Sequence, residues 1–199
     1  MQEAIEIRKY KNKEIRVYHD EDKEDPRTWD SLGKMICFHK SYNLGDKTDL
    51  SYKSFNNWEE LEEHIRKHEN GILLIPLRLY DHSGISMSTS NSHPYNCRWD
   101  SGQVGFIFTT KEKIKEYLGV KKVTKKSEKK AIEILENEVK TYDKFLTGEI
   151  YRFVVIEKST CKECKHTHEE VINSCGGFFT IDDMKDYIED FEKYSCEDT

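Results

Sequence analysis

The chain contains little proline or glycine and no long apolar run. Its 199 residues include only 3 Pro and 10 Gly, which excludes collagen-like and proline- or glycine-rich low-complexity proteins. The longest apolar stretch, Ile72 to Leu77, is far shorter than the ~20 residues that cross a bilayer. The N-terminus also lacks the apolar core of a secretory signal. These absences predict a protein of the cell interior, located in the cytoplasm and not bound to membranes.

Charged and aromatic side chains are abundant instead. Charged residues make up 35% of the sequence and aromatic residues 12%. The aromatic rings bury too much area for a disordered polyelectrolyte. The length fits one domain, in which folding buries roughly 70% of the surface of the extended chain. We therefore expect residues 1–199 to form a single globular domain.

The net charge of −6 is unevenly distributed along the chain. Residues 180–199 contain eight acidic side chains and two lysines, whereas residues 111–130 contain nine lysines and three glutamates. The negative net charge argues against a general nucleic-acid-binding protein, whereas the lysine-rich segment leaves a local basic stripe as an alternative. The acidic end is either a solvated helix face or a surface that imitates phosphates and docks on a basic partner. The candidate partner-binding residues are Asp182, Asp183, Asp186, Glu189, Asp190 and Glu192.

Strand and helix patterns alternate along the chain without the regular spacing of βα units. Apolar patterning predicts strands at 4–10, 13–19, 35–38, 72–80, 103–108, 149–157 and 170–179. Apolar residues at helical spacing predict helices at 57–69, 110–118, 127–147 and from 180 onward. We therefore expect an α+β fold, a mostly antiparallel sheet with about four helices packed on it.

The pattern also predicts details of the long helix and of the segments around it. Ser127 is expected to cap the long helix, whose buried face consists of Ile132, Leu135, Val139, Tyr142 and Leu146. Residues 81–102, rich in Ser, Asn and His, are expected to form a long loop of functional importance. Residues 159–169 form a Cys/His-rich hairpin tip, and residues 180–199 form an acidic C-terminal helix and tail.

Two similar motifs bracket the long loop, and each begins with an aromatic residue followed by aspartate. They consist of Tyr80, Asp81, His82, Ser83 and Gly84 on entry, and of Trp99, Asp100, Ser101 and Gly102 on exit. Neighbouring strand ends would bring them together as a ligand pocket, where glycine lets backbone amides approach a ligand. His82 could act there as an acid or base, or the aspartates and the histidine could hold a divalent metal for phosphodiester chemistry. Alternatively, the aspartates and serines only form turns.

The six cysteines are expected to remain reduced in the cytoplasm, as thiols or as metal ligands. Cys161 and Cys164 have the Cys-x-x-Cys spacing with which two thiolates on one turn bind tetrahedral zinc. His166, His168 and Cys175 are the candidates for the remaining ligands. The sequence therefore predicts a structural zinc ion that stabilises the hairpin, with reduced thiols and solvated histidines as the alternative.

Further short motifs are spread over most of the chain. They are Leu32-Gly33, Cys37-Phe38-His39, Asn43-Leu44-Gly45-Asp46, Asp143 to Gly148 and Ser174 to Phe178, together with the two loop-flanking motifs, which extend to Ile85 and Ile107. In combination they resemble a family of small proteins encoded by phages, plasmids and integrated elements of bacteria. The resemblance extends from about Asp25 to Phe179. It implies a genetic context rather than an activity.

Accessory proteins of such elements often counter host defence, and an acidic, charge-polarised protein suits a basic partner. We therefore expect a protein that binds and inhibits a host defence nuclease complex, such as a CRISPR effector or a restriction enzyme, and that does not bind nucleic acid directly. The alternative is a metal-dependent hydrolase or nucleotide-binding protein that uses Asp81, His82, Ser83 and Asp100. A phage helper protein that binds a small ligand is a third possibility. The sequence favours a role without catalysis and leaves the question open.

Overall fold

The structure, a computed structural model, describes residues 2–89 and 99–194, with side chains through residue 189. Within these ranges the chain forms eight strands and four α-helices, which confirms the predicted α+β class. The strands are β1 (Glu6–Tyr10), β2 (Lys13–His19), β3 (Lys34–Cys37), β4 (Gly71–Asp81), β5 (Ile85–Ser88), β6 (Ser101–Thr110), β7 (Tyr151–Thr160) and β8 (Thr167–Phe178). The helices are α1 (Trp58–His68), α2 (Lys111–Leu118), α3 (Lys125–Thr147) and α4 (Lys185–Tyr194). No helix in the described ranges is long and apolar enough to cross a membrane.

The chain folds into two compact units. Residues 1–24 and 148–199 form the terminal unit, whose sheet has the strand order β1-β2-β7-β8. Residues 25–147 form the central unit, whose sheet has the order β3-β6-β4-β5. Neighbouring strands are antiparallel in both sheets. The strands form two sheets where the sequence predicts one, because apolar patterns identify strands without identifying their partners.

Apolar side chains on one face of the terminal sheet form the core of that unit. Where β2 pairs with β7, Ile15 lies opposite Val155 and Val17 lies opposite Phe153. All four side chains are buried, and Ile188 of α4 packs in the same cluster. Because strand side chains alternate between the two faces of a sheet, every second residue of each strand contributes to this core.

Glu14 on β2 is a carboxylate whose side chain is only 6% exposed. It accepts a hydrogen bond from Nε of Arg16 at 2.9 Å and pairs with Nζ of Lys158 at 3.0 Å. Burial raises the pKa of Glu14, but the hydrogen bonds from Lys158 and Arg16 outweigh burial, so the pKa lies below its ordinary value of 4.5. Arg16 and Lys158 also contact Glu169 of β8, at 2.7 and 3.2 Å. This charge cluster therefore joins β2, β7 and β8.

Glu14→Gln is expected to destabilise the protein by about 2 kcal/mol near neutral pH and by much less in acid. A carboxylate whose pKa is lowered by folding contributes stability above its unfolded pKa, and the contribution disappears as the pH falls through the folded value. Urea unfolding followed by circular dichroism at about pH 6 and about pH 3 measures the difference. Replacing the exposed Glu149 by glutamine is the matched control. Equal destabilisation by Glu14→Gln at both pH values would contradict a role for the charge.

Both faces of the central sheet carry buried apolar side chains. Phe106 and Phe108 of β6 belong to a cluster with Ile65 of α1, whereas Ile107 belongs to a cluster with Leu135 of α3. Successive residues of β6 therefore point to opposite faces, and each face has its own helix. A strand that is buried on both faces has a continuous apolar sequence, as residues 104–108 do.

The segment between β4 and β6 is not entirely a loop. Strand β5 pairs with β4, with Tyr80 opposite Ser86 and Leu79 opposite Met87. The prediction of a loop over residues 81–102 is therefore wrong for its first part. Strand β5 has only four residues, and Met87 is the one whose side chain is buried. Such a short pattern does not identify a strand in the sequence. Residues 90–98 of the predicted loop lie outside the described ranges.

Helix α3 begins before its predicted start, because Thr124 takes the capping role assigned to Ser127. The N–H of Thr124 donates to the hydroxyl of Ser127 at 2.7 Å, and the N–H of Ser127 contacts the hydroxyl of Thr124 at 3.4 Å. Such a reciprocal pair satisfies two backbone donors at the helix start. The predicted buried face is wrong at Ile132, which is 37% exposed, whereas its neighbour Ala131 is buried. One residue turns a helix by about 100°, enough to move a side chain off the buried stripe.

Candidate binding site at the ends of strands β4 and β6

The ends of β4 and β6 bring the two loop-flanking motifs together. Tyr80 pairs with Ser101, and the backbone N–H of Asp81 donates to the carbonyl of Asp100 at 2.7 Å. Gly102 continues the same ladder. Because the strands are antiparallel, the end of β4 and the start of β6 lie at the same edge of the central sheet. Both aspartates therefore lie at this edge.

A tight turn after β4 determines the position of His82. The N–H of His82 donates to the carbonyl of Gly84 at 3.0 Å, and Ser83 and Gly84 have φ values of 56° and 148°. Side chains with a Cβ rarely adopt the conformation of Gly84. The Ser-Gly pair of this motif therefore forms the turn, as the simpler interpretation of the sequence expects. The turn places Nδ1 of His82 3.4 Å from Oδ2 of Asp100.

A second histidine and a tyrosine lie against Asp81. Nε2 of His39 is 3.6 Å from Oδ2 of Asp81, and the hydroxyl of Tyr42 contacts Oδ1 at 3.4 Å. The rings of His39 and Tyr42 stack with their centroids 5.0 Å apart. Asp81 therefore lies beside a stacked pair of rings that the sequence does not identify as part of the site.

His39 reaches this edge because β3 packs closely on β6. A Cβ at Gly105 would lie 1.9 Å from the carbonyl oxygen of Ile36, so a larger residue there would separate the strands. Beyond the end of β3, the N–H of Phe38 still donates to the carbonyl of Val104 at 2.7 Å. In the sequence, only the Cys37-Phe38-His39 motif draws attention to His39. The motif does not show which strand lies beside β3, so it does not place His39 at the site.

Trp99 has the largest exposed fraction, 96%, among the exposed large apolar side chains of the described residues. It directly precedes Asp100 in the chain, and its indole ring is open to solvent. Tyr42 is also partly open, at 39%. We name the following set the β4–β6 corner: His39, Tyr42, Asp81, His82, Trp99 and Asp100.

The β4–β6 corner combines two carboxylates, two imidazoles, a phenol and an indole. Carboxylates accept hydrogen bonds from guanidinium, ammonium or nucleobase amino groups, and the rings offer faces on which a cation or a base stacks. In the part of the chain that the structure describes, no three His, Cys, Asp or Glu side chains are placed to hold one metal ion. The corner therefore presents two separate histidine–aspartate pairs at a surface suited to binding.

Arg27 and Asp46 form an ion pair beside β3. The side chain of Arg27 is only 5% exposed, and its Nε and Nη2 donate to the two carboxylate oxygens of Asp46 at 2.9 and 2.8 Å. Nη2 also donates to the carbonyl of Gly33 at 2.7 Å. Asp46 accepts a further hydrogen bond from the N–H of Met35 at 2.7 Å. This pair therefore fixes the segments on either side of β3.

Glu138 of α3 completes the buried network. Its carboxylate accepts hydrogen bonds from the N–H groups of Leu32 at 2.7 Å and Gly33 at 3.1 Å, and lies 3.5 Å from Nη1 of Arg27. Burial raises the pKa of Glu138, and the hydrogen bond from Leu32 and the charge of Arg27 only partly offset this effect. The network ties the Leu32-Gly33 motif to α3.

Two further side chains of α3 bind backbone groups of neighbouring segments. The hydroxyl of Tyr142 accepts a hydrogen bond from the N–H of Gly45 at 3.0 Å, and Oδ1 of Asp143 accepts one from the N–H of Met87 at 2.7 Å. The motifs around Asp46 and Asp143 therefore stabilise the fold of the central unit. The β4–β6 corner differs from them because its polar groups reach the surface.

The motif at Ser174 to Phe178 also has a structural role, in the terminal unit. The carboxylate of Asp20 accepts hydrogen bonds from the N–H groups of Gly177 at 2.8 Å and Asp22 at 3.1 Å. A Cβ at Gly176 would lie 2.3 Å from Oδ2 of Asp20. Glycine at this position therefore leaves room for the carboxylate that holds β8 to the segment after β2.

Two of the acidic candidates near the C-terminus have structural roles. Asp182 pairs with Nζ of Lys185 at 2.8 Å, which lowers the pKa of Asp182 through that hydrogen bond. Asp183 and Thr180 exchange hydrogen bonds, with the N–H of each donating to the side chain of the other at 3.1 and 2.9 Å. Such an exchange is a capping box. These carboxylates therefore begin the C-terminal helical segment.

Asp186 and Glu189 are exposed side chains of α4. Between them Ile188 is buried in the core of the terminal unit, so α4 has one apolar face and one charged face. The side chains of Asp190 and Glu192 lie outside the described residues. Among the six acidic candidates, Asp186 and Glu189 are therefore the exposed carboxylates of α4 that the structure describes.

The Cys/His-rich tip is shorter than the predicted 159–169, because β7 and β8 extend to Thr160 and Thr167. Cys161 and Cys164 lie in the connecting turn. Cys175 lies opposite Phe153, seven positions along β8 from His168, which corresponds to roughly 24 Å at ~3.4 Å per residue. The prediction of Cys175 as a ligand at the tip is therefore wrong, because the strand carries it away from the turn.

The β4–β6 corner is thus an exposed cluster of chemically varied groups. It joins an open indole, two carboxylates and two imidazoles at one edge of the central sheet. Comparison with known proteins finds no match for this chain among family models, curated proteins or solved structures.

Proposed function

We propose that this chain is an accessory protein of a phage or other mobile element, and that in the bacterial cytoplasm it binds and inhibits a host defence nuclease complex, such as a CRISPR effector or a restriction enzyme. The β4–β6 corner is the surface that binds this partner. The observation that carries the proposal is the nearly complete exposure of Trp99 beside Asp81 and Asp100.

Arginine side chains are the groups that fit this surface best. A guanidinium donates in a planar fork to a carboxylate and stacks on an indole or phenol ring. The β4–β6 corner offers both kinds of group at one edge of the sheet. Tryptophan, tyrosine and arginine also dominate the binding energy of protein interfaces. Enzymes that bind nucleic acid expose arginines to contact phosphates, so a protein that occupies those arginines excludes the nucleic acid.

The net charge of −6 supports a basic partner. An acidic protein attracts a basic surface over about one Debye length, ~10 Å, and this attraction increases the association rate. The exposed Asp186 and Glu189 of α4 contribute to such a field. In this proposal the acidic helix affects how fast the complex forms, whereas the β4–β6 corner determines how long it lasts.

Inhibition of purified defence nucleases tests the proposal. A CRISPR effector and a restriction enzyme are assayed for DNA cleavage with the wild type and with two variants that each lose two negative charges, namely Asp81→Asn/Asp100→Asn in the corner and Asp186→Asn/Glu189→Gln on α4. We expect the wild type and the α4 variant to inhibit at least one nuclease and the corner variant to fail. Absence of inhibition by the wild type, with no protection of phages in plaque assays, would contradict the proposal.

A nucleotide-binding protein or metal-dependent hydrolase is the second candidate, and the pair of His82 with Asp100 at 3.4 Å favours it. A histidine oriented by a carboxylate is a common general acid or base, and an exposed indole such as Trp99 is a stacking platform for a base. Assays of nucleotide and oligonucleotide hydrolysis with Mg²⁺ or Mn²⁺ distinguish the two candidates. Turnover by the wild type that is lost in His82→Gln would favour the enzyme.

A further inference from the structure

The turn between β7 and β8 presents two thiols on one short loop. The N–H of Cys161 donates to the carbonyl of His166 at 2.9 Å, and the N–H of Lys165 donates to the carbonyl of Cys161 at 2.9 Å. Lys165 adopts a left-handed conformation with φ of 54°, which closes the turn. Cys164 is exposed and Cys161 is partly exposed. The two thiols therefore lie at an accessible end of the hairpin.

The turn holds the two cysteines close together. The backbone N–H of Cys164, the thiol of Cys164 and the backbone N–H of Glu163 donate hydrogen bonds to the sulfur of Cys161. Two lysines of the same turn, Lys162 and Lys165, add positive charge nearby. The thiolate is the form of cysteine that binds metal ions.

Among the described residues, the turn brings together two of the ligands that a structural zinc site needs. Such sites are tetrahedral and closed by four protein ligands. Within the described ranges, no third His, Cys, Asp or Glu side chain is placed with the two thiols to hold a metal. The rings of His166 and His168 pack against each other, with centroids 5.7 Å apart. Cys175 lies far along β8, and Cys97 and Cys196 lie outside the described residues.

We propose that the tip binds zinc as a half-site and that Cys161 and Cys164 of a second copy of this chain complete it. A twofold axis through the ion would make the contact self-complementary, with the same two thiols from each copy. The four thiols would bind as thiolates and release their protons to solvent. The exposed turn leaves room for a second tip to approach. This inference goes beyond the proposed function and does not depend on it.

Zinc content and molar mass of the purified, reduced, full-length protein test the shared site. We expect about 0.5 zinc ion per chain and a dimer. Removal of zinc with a chelator should give monomers, and zinc alone should restore the dimer. Cobalt should replace zinc and give the absorption of a site with four sulfur ligands. Cys161→Ser and Cys164→Ser should each lose both zinc and dimer.

Cys175→Ser is the matched control, because Cys175 is an exposed cysteine of the same hairpin that lies away from the turn. It should keep both zinc and dimer. Circular dichroism verifies that each variant is folded. One zinc ion on each monomer, lost in His166→Ala or His168→Ala, would overturn the shared site in favour of a site within one chain. Absence of bound zinc at micromolar free metal would overturn the metal site altogether.

Discussion

Trp99→Ala is expected to weaken binding of the partner roughly 30- to 1000-fold, which corresponds to about 2 to 4 kcal/mol. The residue is 96% exposed, so its truncation should change the free energy of unfolding little. The expected effect is therefore a loss of binding affinity. An indole that becomes buried in an interface removes a large apolar area from water, and its face also attracts a guanidinium. Calorimetric titration against the nuclease that the wild type inhibits measures the affinity.

Each of the two corner carboxylates, Asp81 and Asp100, should contribute to the affinity for the partner. Asp81→Asn and Asp100→Asn preserve shape and remove charge, and each should weaken binding roughly 10- to 100-fold if it loses a charge-assisted hydrogen bond. The triple variant with Trp99→Ala should lose less than the sum of the single effects, because the proposal has the three residues contact one partner group. Higher salt should weaken wild-type binding more than binding by the charge-deficient variants.

Tyr117→Ala provides the control for these variants. Tyr117 is a 44% exposed ring on α2 of the same central unit, away from the β4–β6 corner in sequence. Its removal should leave the affinity within about twofold of the wild type, as most exposed substitutions do. Unchanged affinity in Trp99→Ala, together with loss of binding in Asp186→Asn/Glu189→Gln, would place the interface on α4 and contradict the corner as the binding surface.

Arg27→Met is expected to destabilise the central unit by about 3 to 5 kcal/mol. The substitution keeps an apolar chain of similar length but removes the cation that faces the carboxylates of Asp46 and Glu138. It also leaves the carbonyl of Gly33 without the donor seen at 2.7 Å. Buried carboxylates without a counter-ion must take up protons or draw in water, and either costs stability.

Tryptophan fluorescence during urea unfolding measures this loss, because all three tryptophans of the chain lie in the central unit. Arg66→Met is the matched control, since Arg66 pairs with Glu62 on an exposed face of α1 at 2.8 Å. The control should change stability by less than about 0.5 kcal/mol. Adding Asp46→Asn to Arg27→Met should restore part of the loss, because one buried charge is then removed. A loss below about 1 kcal/mol in Arg27→Met would show that the ion pair is not needed for the fold.

Local elements could be predicted from the sequence, but strand pairing could not. The first hairpin and α1 follow from patterns of adjacent residues, such as the polar turn at Lys11 and Asn12 and the cap at Asn57. The pairing of Ile15 with Val155 joins distant parts of the chain. Any strand with alternating apolar residues could pair with β2 equally well. The sequence pattern therefore does not show that the strands divide between two units.

The same difference applies to the candidate site. Asp81 and Asp100 were identifiable because each follows or precedes a strand in a short polar motif. His39 and Tyr42 join them only because the sheet order places β3 beside β6. The burial of Arg27 was also hidden, because arginine is mostly exposed in proteins unless it is paired. The prediction for Cys175 is wrong because β8 is extended through this residue, and seven strand positions separate it from His168.

An NMR titration of the isotopically labelled protein with an arginine-rich peptide tests the role of the β4–β6 corner most directly. We predict that the indole N–H of Trp99 and the backbone amides of Asp81 and Asp100 shift, that a lysine-rich peptide of equal charge causes smaller shifts, and that Asp81→Asn/Asp100→Asn abolishes them. Shifts confined to α4 around Asp186 and Glu189 would contradict this role of the corner. So would the absence of shifts at peptide concentrations high enough for arginine side chains to pair with carboxylates.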